Sequence, residues 1–185
     1  RWEPVKAFYH SACGGLTELP ERVWKKKFAG FKNQVSCDFC KESPVYQWSL
    51  NLSAEEITRA VLQNASERER KLLKLHTLQK MIQPVLVSIE LDPVLEKSRV
   101  LRVKLTWKTD SQVFTASVSG ARFRDWIGNT RLKSTWFATH PVSPHAGRES
   151  RWQFEGWGHG HGVGMCQWGA KRMGERGFTY ASILQ

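Results

Sequence analysis

The stretch Trp157-Gly158-His159-Gly160-His161-Gly162-Val163-Gly164-Met165-Cys166-Gln167-Trp168-Gly169-Ala170 sets four glycines in alternation with His159, His161 and Val163. Glycine at every second position removes the Cβ, which allows positive φ or a close approach to a ligand. The polar groups that remain are His159, His161 and Gln167. We read the stretch as the floor of a binding cleft. It runs into a helix over 165–176, with Gly177 as its stop.

Upstream of this loop the apolar period is two. Strands are expected over 85–91, 99–108, 112–117, 135–139 and 152–157. Leu101, Val103, Leu105 and Trp107 alternate with Arg102, Lys104 and Thr106, the pattern of a half-buried strand. Ser119 caps a short helix to residue 127, with Phe123, Trp126 and Ile127 inward. Before Pro84 the period is helical. Ser53-Ala54-Glu55-Glu56 is a capping box, in which the serine oxygen and the glutamate carboxylate satisfy two backbone N–H groups. A second helix is expected over 67–83, with Leu72, Leu75, Leu78 and Ile82 on one stripe. Residues 1–12 and 45–50 read as strands, and 18–24 as a short strand or turn. The fold class is therefore α+β: a mixed sheet core with a helical insertion or subdomain over about 53–83, in a single domain over 1–185. Arg at position 1 and a helix over 180–185 that stops abruptly suggest a chain cut at both ends.

Hydrophobic residues make up 41% of the 185, enough to build a core, so wholesale disorder is excluded. No apolar run approaches the ~20 residues that a membrane span needs. The net charge of +11 is met either by solvated lysines or by a polyanionic partner such as nucleic acid, anionic lipid or acidic cell-wall polymer. Nine tryptophans add stacking faces, but these serve sugar rings as well as bases.

Cys37-x-x-Cys40 has the spacing of one edge of a tetrahedral zinc site, and His10-x-x-Cys13 offers a second pair with the same gap. His10, Cys13, Cys37 and Cys40 would form a closed ligand set, which suits a structural zinc. Two alternatives stay open: a Cys37–Cys40 disulfide in an exported protein, or cysteines with no ligand. Cys166 stands apart at a helix start, as a thiol of lowered pKa or as a small buried residue.

Two segments together resemble the stage II sporulation protein D family, which includes the amidase-enhancer proteins. One is Phe8-Tyr9-His10-Ser11-Ala12-Cys13-Gly14-Gly15-Leu16-Thr17-Glu18, followed by Val23-Trp24. The other is Gly158–Ala170, similar to the signature Gly-His-Gly-Val-Gly-Met-Ser-Gln-Tyr-Gly-Ala, with Cys166 in place of Ser and Trp168 in place of Tyr. Ala121-Arg122-Phe123-Arg124 and Leu132-Lys133-Ser134-Thr135-Trp136-Phe137 look like its middle section.

The resemblance implies a lytic transglycosylase that cleaves the glycan strands of peptidoglycan, particularly strands stripped of stem peptides, beside a cell-wall amidase. It implies an extracytoplasmic location, and it accounts for the basic, Trp-rich composition without nucleic acid. The family's catalytic acid is a glutamate upstream of the Tyr-His-Ser block, before residue 1 of this chain. None of Glu3, Glu18, Glu21 or Glu155 matches that motif, so none takes the role. The alternative is a non-catalytic module that binds cell wall or activates an amidase. By resemblance and by chemistry, His161 and Gln167 are expected to contact substrate, with His159 and Ser11 beside them. Against this, His161 would instead hold the loop by a structural hydrogen bond. A metal pair of His159 and His161 lacks a third ligand, and a zinc-knuckle nucleic-acid binder leaves the Gly/His loop without a role.

Overall fold

The structure, a computed structural model, describes residues 6–92, 99–142 and 150–184. In chain order its elements begin with β1 (Tyr9–His10), α1 (Pro20–Trp24), β2 (Gln47–Ser53) and α2 (Ala54–Asn64). Next come α3 (Glu67–Leu72), α4 (Leu75–Lys80), β3 (Val85–Asp92), β4 (Arg102–Lys108), β5 (Val113–Ser119) and α5 (Gly120–Ile127). The rest are β6 (Phe137–Val142), β7 (Arg151–Trp157), β8 (Met165–Cys166), α6 (Gln167–Glu175) and α7 (Tyr180–Ile183). The fold is α+β, and the described residues form three small sheets ordered β1-β8, β2-β7-β6 and β3-β4-β5. The chain divides into two units. One comprises Arg1–Trp48, Lys133–Trp136 and Gly156–Gln185, the other Ser49–Leu132 and Phe137–Glu155.

The second unit is built on the antiparallel meander β3-β4-β5. Val103, Leu105 and Trp107 of β4 are buried, as their alternation requires, while Leu101 precedes the strand and is exposed. The capping box of α2 is formed in full. Ser53 Oγ accepts from Glu56 N–H at 3.1 Å, and the Glu56 carboxylate accepts from Ser53 N–H at 2.9 Å. Ile57 and Val61 face the core, and Thr58 Oγ1 accepts from the Trp107 indole at 2.8 Å. Phe123 of α5 packs with Phe137 and Phe154 at 6.4 and 6.1 Å between ring centres.

The expected single helix over 67–83 is instead the pair α3 and α4. Lys74 takes φ 53°, a left-handed conformation that no helix continues through. Ser66 supplies α3 with its own capping box. The four-residue stripe is broken accordingly: Leu75 and Leu78 are buried, while Leu72 and Ile82 are exposed. Residues 18–24 are also corrected, since Pro20 opens the helix α1. Its fixed φ suits the first helical turn, where its missing N–H costs nothing.

In the first unit β1 and β8 pair in parallel, Tyr9 with Met165 and His10 with Cys166. The strand expected over 1–12 is thus two residues long among the described residues, and residues 1–5 lie outside them.

Candidate functional site

The Gly/His loop lies against the chain around β1, joined to it by backbone hydrogen bonds. Ala12 and His159 exchange both bonds, at 3.2 and 2.8 Å. Glu18 N–H donates to Gly162 O at 2.8 Å, Met165 N–H to Phe8 O at 2.9 Å, and Trp168 N–H to Ser11 O at 3.0 Å. On its other flank Gly160 N–H donates to Lys133 O at 2.9 Å. The glycines serve this packing. At Gly158 (φ 72°) a Cβ would stand 2.5 Å from Ala12 O, and at Gly164 (φ 73°) 2.1 Å from Phe8 O. The close approach that the glycines permit is therefore to the protein's own backbone. The loop is thus a frame tied to the backbone on both of its flanks.

Val163 orients two imidazoles. His10 Nδ1 lies 3.1 Å from Val163 O, and since a carbonyl only accepts, that nitrogen donates. Val163 N–H donates to His161 Nδ1 at 3.0 Å, which puts the proton of the neutral His161 ring on Nε2. The two rings meet edge to face at 5.9 Å. His161 therefore does hold its loop, and the same bond fixes an N–H at the far side of its ring. His159 and His161 are half-buried, and Gln167, the first residue of α6, is exposed. Ser11 takes part through its carbonyl. Glu18, buried, spends its carboxylate on Leu19 N–H at 2.9 Å and Gln34 Nε2 at 3.1 Å.

The expected metal ligands separate. Cys13, Cys37 and Cys40 come together, and the fourth member is Cys166, with all four sulfurs within 4.8 Å of one another. His10 is not part of this group; its ring turns to Val163. The correction has a simple cause: β1 pairs with β8, which brings Cys166 beside Cys13 from 153 residues away. No disulfide joins any of the four, all of which are described.

The set fits a tetrahedral metal ion. Zinc–thiolate bonds of about 2.3 Å place sulfurs about 3.8 Å apart, within the span seen here. Backbone N–H groups already point at the sulfurs: Cys13 N–H to Cys166 Sγ at 3.3 Å, Gly15 N–H to Cys13 Sγ at 3.4 Å and Gly169 N–H to Cys166 Sγ at 3.3 Å. Such donors stabilise thiolates and orient ligands. Tyr46 and Trp168 pack over the cluster and shield it. The protons are unevenly held. Hydrogen bonds to the sulfurs of Cys166, Cys37 and Cys40 push the Cys13 thiol up, and burial adds to this. Hydrogen bonds from Cys13 and Cys166 bring Cys37 down to about 7. Those from Cys13, Cys166 and Cys37 pull Cys40 well below the usual thiol range. The negative charge so favoured at Cys37 and Cys40 is one that a divalent cation would neutralise.

A family described as Domain of unknown function (DUF8618) matches residues 23–164. The chain belongs to that family. It is also similar to the amidase enhancer of Bacillus subtilis (strain 168), at 25% identity over 210 residues. That similarity covers 98% of this chain but 28% of the relative, so the chain spans less than a third of that protein's length. The relationship to amidase enhancers is distant. The matched family ends at Gly164, before Cys166, which sequence reasoning had also set apart from the other cysteines. Two more neighbours of the site were missed: Val163, whose peptide holds both histidines, and Trp24, 5.0 Å from the His161 ring. An apolar cavity of about 560 Å³ lies in the second unit, lined by Ala54, Thr58, Leu62, Leu78, Met81 and Val85. None of the candidate site residues lines it. Among the described residues no helix is long and apolar enough to cross a membrane.

Proposed function

We propose that this chain is a zinc-stabilised module that binds the glycan strands of bacterial cell wall, outside the cytoplasm, and works beside a cell-wall amidase. One observation carries the reading. The Gly/His loop is tied along its length to the β1 segment, and its end is anchored by Cys166 in the sulfur cluster. A rigid frame of this kind presents His161 Nε2–H and the Gln167 amide at fixed positions, as sugar recognition requires. Similarity to an amidase enhancer over nearly the whole chain supports the same role. The zinc, held by Cys13, Cys37, Cys40 and Cys166, is structural, because four thiolates leave no coordination position for substrate.

The test is co-sedimentation with purified peptidoglycan. The chain is expected in the pellet, and a purified cell-wall amidase is expected to release stem peptides faster in its presence. Protein that stays in the supernatant with every wall preparation would sink the reading.

Cleavage of the strand is the second reading, favoured by the Gly158–Ala170 signature. A lytic transglycosylase needs a carboxylic acid of raised pKa to protonate the glycosidic oxygen, and the sugar's own 6-hydroxyl then closes the anhydro ring. No residue of this chain is assigned that acid. Mass spectrometry of peptide-free strands incubated with the full-length protein decides: anhydro-ended fragments establish cleavage, and strands of unchanged length remove it.

A further inference from the structure

Beside His161 the first unit carries an aromatic patch with cations at its edge. Trp24 closes α1, is 41% exposed, and stands edge to face with His161 at 5.0 Å. The Phe8 ring lies 4.8 Å from Trp24 and 5.0 Å from Phe28. The ammonium groups of Lys6 and Lys26 both reach the Phe28 ring, at 5.5 and 5.3 Å from its centre. Neither lysine has a carboxylate partner among the described residues. The chain reaches this arrangement through Lys25, which takes the left-handed φ of 54° and donates its N–H to Glu21 O. A non-glycine residue is strained there. The turn sends the chain back, so that Lys26 and Phe28 join the aromatic group of Trp24.

We infer that Trp24, Lys6 and Lys26 form a subsite for a sugar ring that bears a carboxylate. The inference rests on the glycan-binding reading above and names what that site selects. An exposed indole offers a flat apolar face of the kind sugars stack on. Two exposed ammonium groups beside an aromatic ring offer positive charge to a carboxylate at the edge of the patch. A neutral sugar would use the indole alone.

The experiment titrates the full chain with three probes: peptide-free glycan strands with their lactyl carboxylates intact, the same strands with those carboxylates reduced to alcohols, and duplex DNA of similar length. Trp24→Ala is expected to weaken binding to both kinds of strand by about tenfold, and Trp24→Phe to restore most of it. The double variant Lys6→Ala/Lys26→Ala is expected to lose about fivefold on intact strands and nothing on reduced ones. Equal affinity of the unaltered chain for intact and reduced strands overturns the inference and leaves glycan binding standing. Equal loss by the lysine variant on both strands does the same. Binding to DNA alone, steeply salt-dependent, overturns the glycan reading itself. Should Trp24→Ala fail to fold, Trp24→Phe and the lysine variant still decide between these outcomes.

Discussion

A methyl group at position 164 would have to occupy space 2.1 Å from Phe8 O, in a backbone at φ 73°. Neither strain can relax alone, because Met165 N–H is bonded to that same carbonyl. Gly164→Ala is expected to destabilise the protein by about 3 kcal/mol or more, read by urea unfolding. Gly174, inside α6, meets nothing within 4 Å. There the same change is expected to add about 0.5 kcal/mol, from helix propensity and a less flexible unfolded chain. Equal effects at the two sites would mean that the loop does not press on β1. The cysteine cluster supports a second contrast. Cys166→Ser is expected to lower zinc affinity at least about a hundredfold, a ligand loss exceeding the usual outer-shell effect. His10→Ala is expected to keep one zinc per chain by elemental analysis, and loss of the metal there would restore His10 as a ligand. The spacing of Cys37 and Cys40 announced one edge of this cluster from sequence, and the equal gap of His10 and Cys13 supplied Cys13, with His10 in the place that Cys166 takes. Cys166 was not legible, because only the pairing of His10 with Cys166 across the fold brings it near.

Helices α3 and α5 of the second unit are joined by a two-pronged ion pair. Arg122 Nε and Nη2 lie 2.6 and 2.8 Å from the two oxygens of Glu69. The Arg122 hydrogen bonds, helped by the Ser66 N–H, hold the Glu69 carboxyl down to about 2. A depressed carboxylate pKa contributes stability above the unfolded value near 4.5 and loses it as pH falls towards 2. Glu69→Gln is therefore expected to cost about 1 kcal/mol at pH 7, since Arg122 is partly solvated and the pair is screened. The cost should shrink between pH 4.5 and 2, with the two unfolding midpoints converging near pH 2. A gap that stays constant over that window would assign the loss to packing. At this scale much was legible. The capping box at Ser53, the alternation in β4 and the Ser119 cap are local patterns, and each element formed where its pattern lay. The break at Lys74 was hidden, because lysine is a good helix former and only the folded chain shows its left-handed turn. The Glu69–Arg122 pair, 53 residues apart, has no local signature either.

Across the whole chain the two units rest on different chemistry. The second has a core of large apolar side chains, among them Trp107, Trp126, Phe123 and Phe154. The first gathers four crowded thiols, where the end of the Gly/His loop and the start of α6 meet the segment that follows β1. A metal that binds the folded cluster and not the unfolded chain stabilises only the part it closes. Zinc removal is therefore expected to act unevenly. After treatment with a strong chelator, amide exchange measured by mass spectrometry should quicken at least about tenfold in peptides covering residues 8–18 and 158–170, where local opening becomes cheaper. Peptides covering β4, β5 and α5 should keep their protection. Restoring one equivalent of zinc should restore the first unit, and peptidoglycan co-sedimentation should fall and recover with it, as the proposed anchoring of the His161 and Gln167 loop by the metal requires. Uniform loss of protection over both units would show that the chain unfolds as one body. Unchanged exchange everywhere would show that the β1–loop hydrogen bonds hold the site without metal.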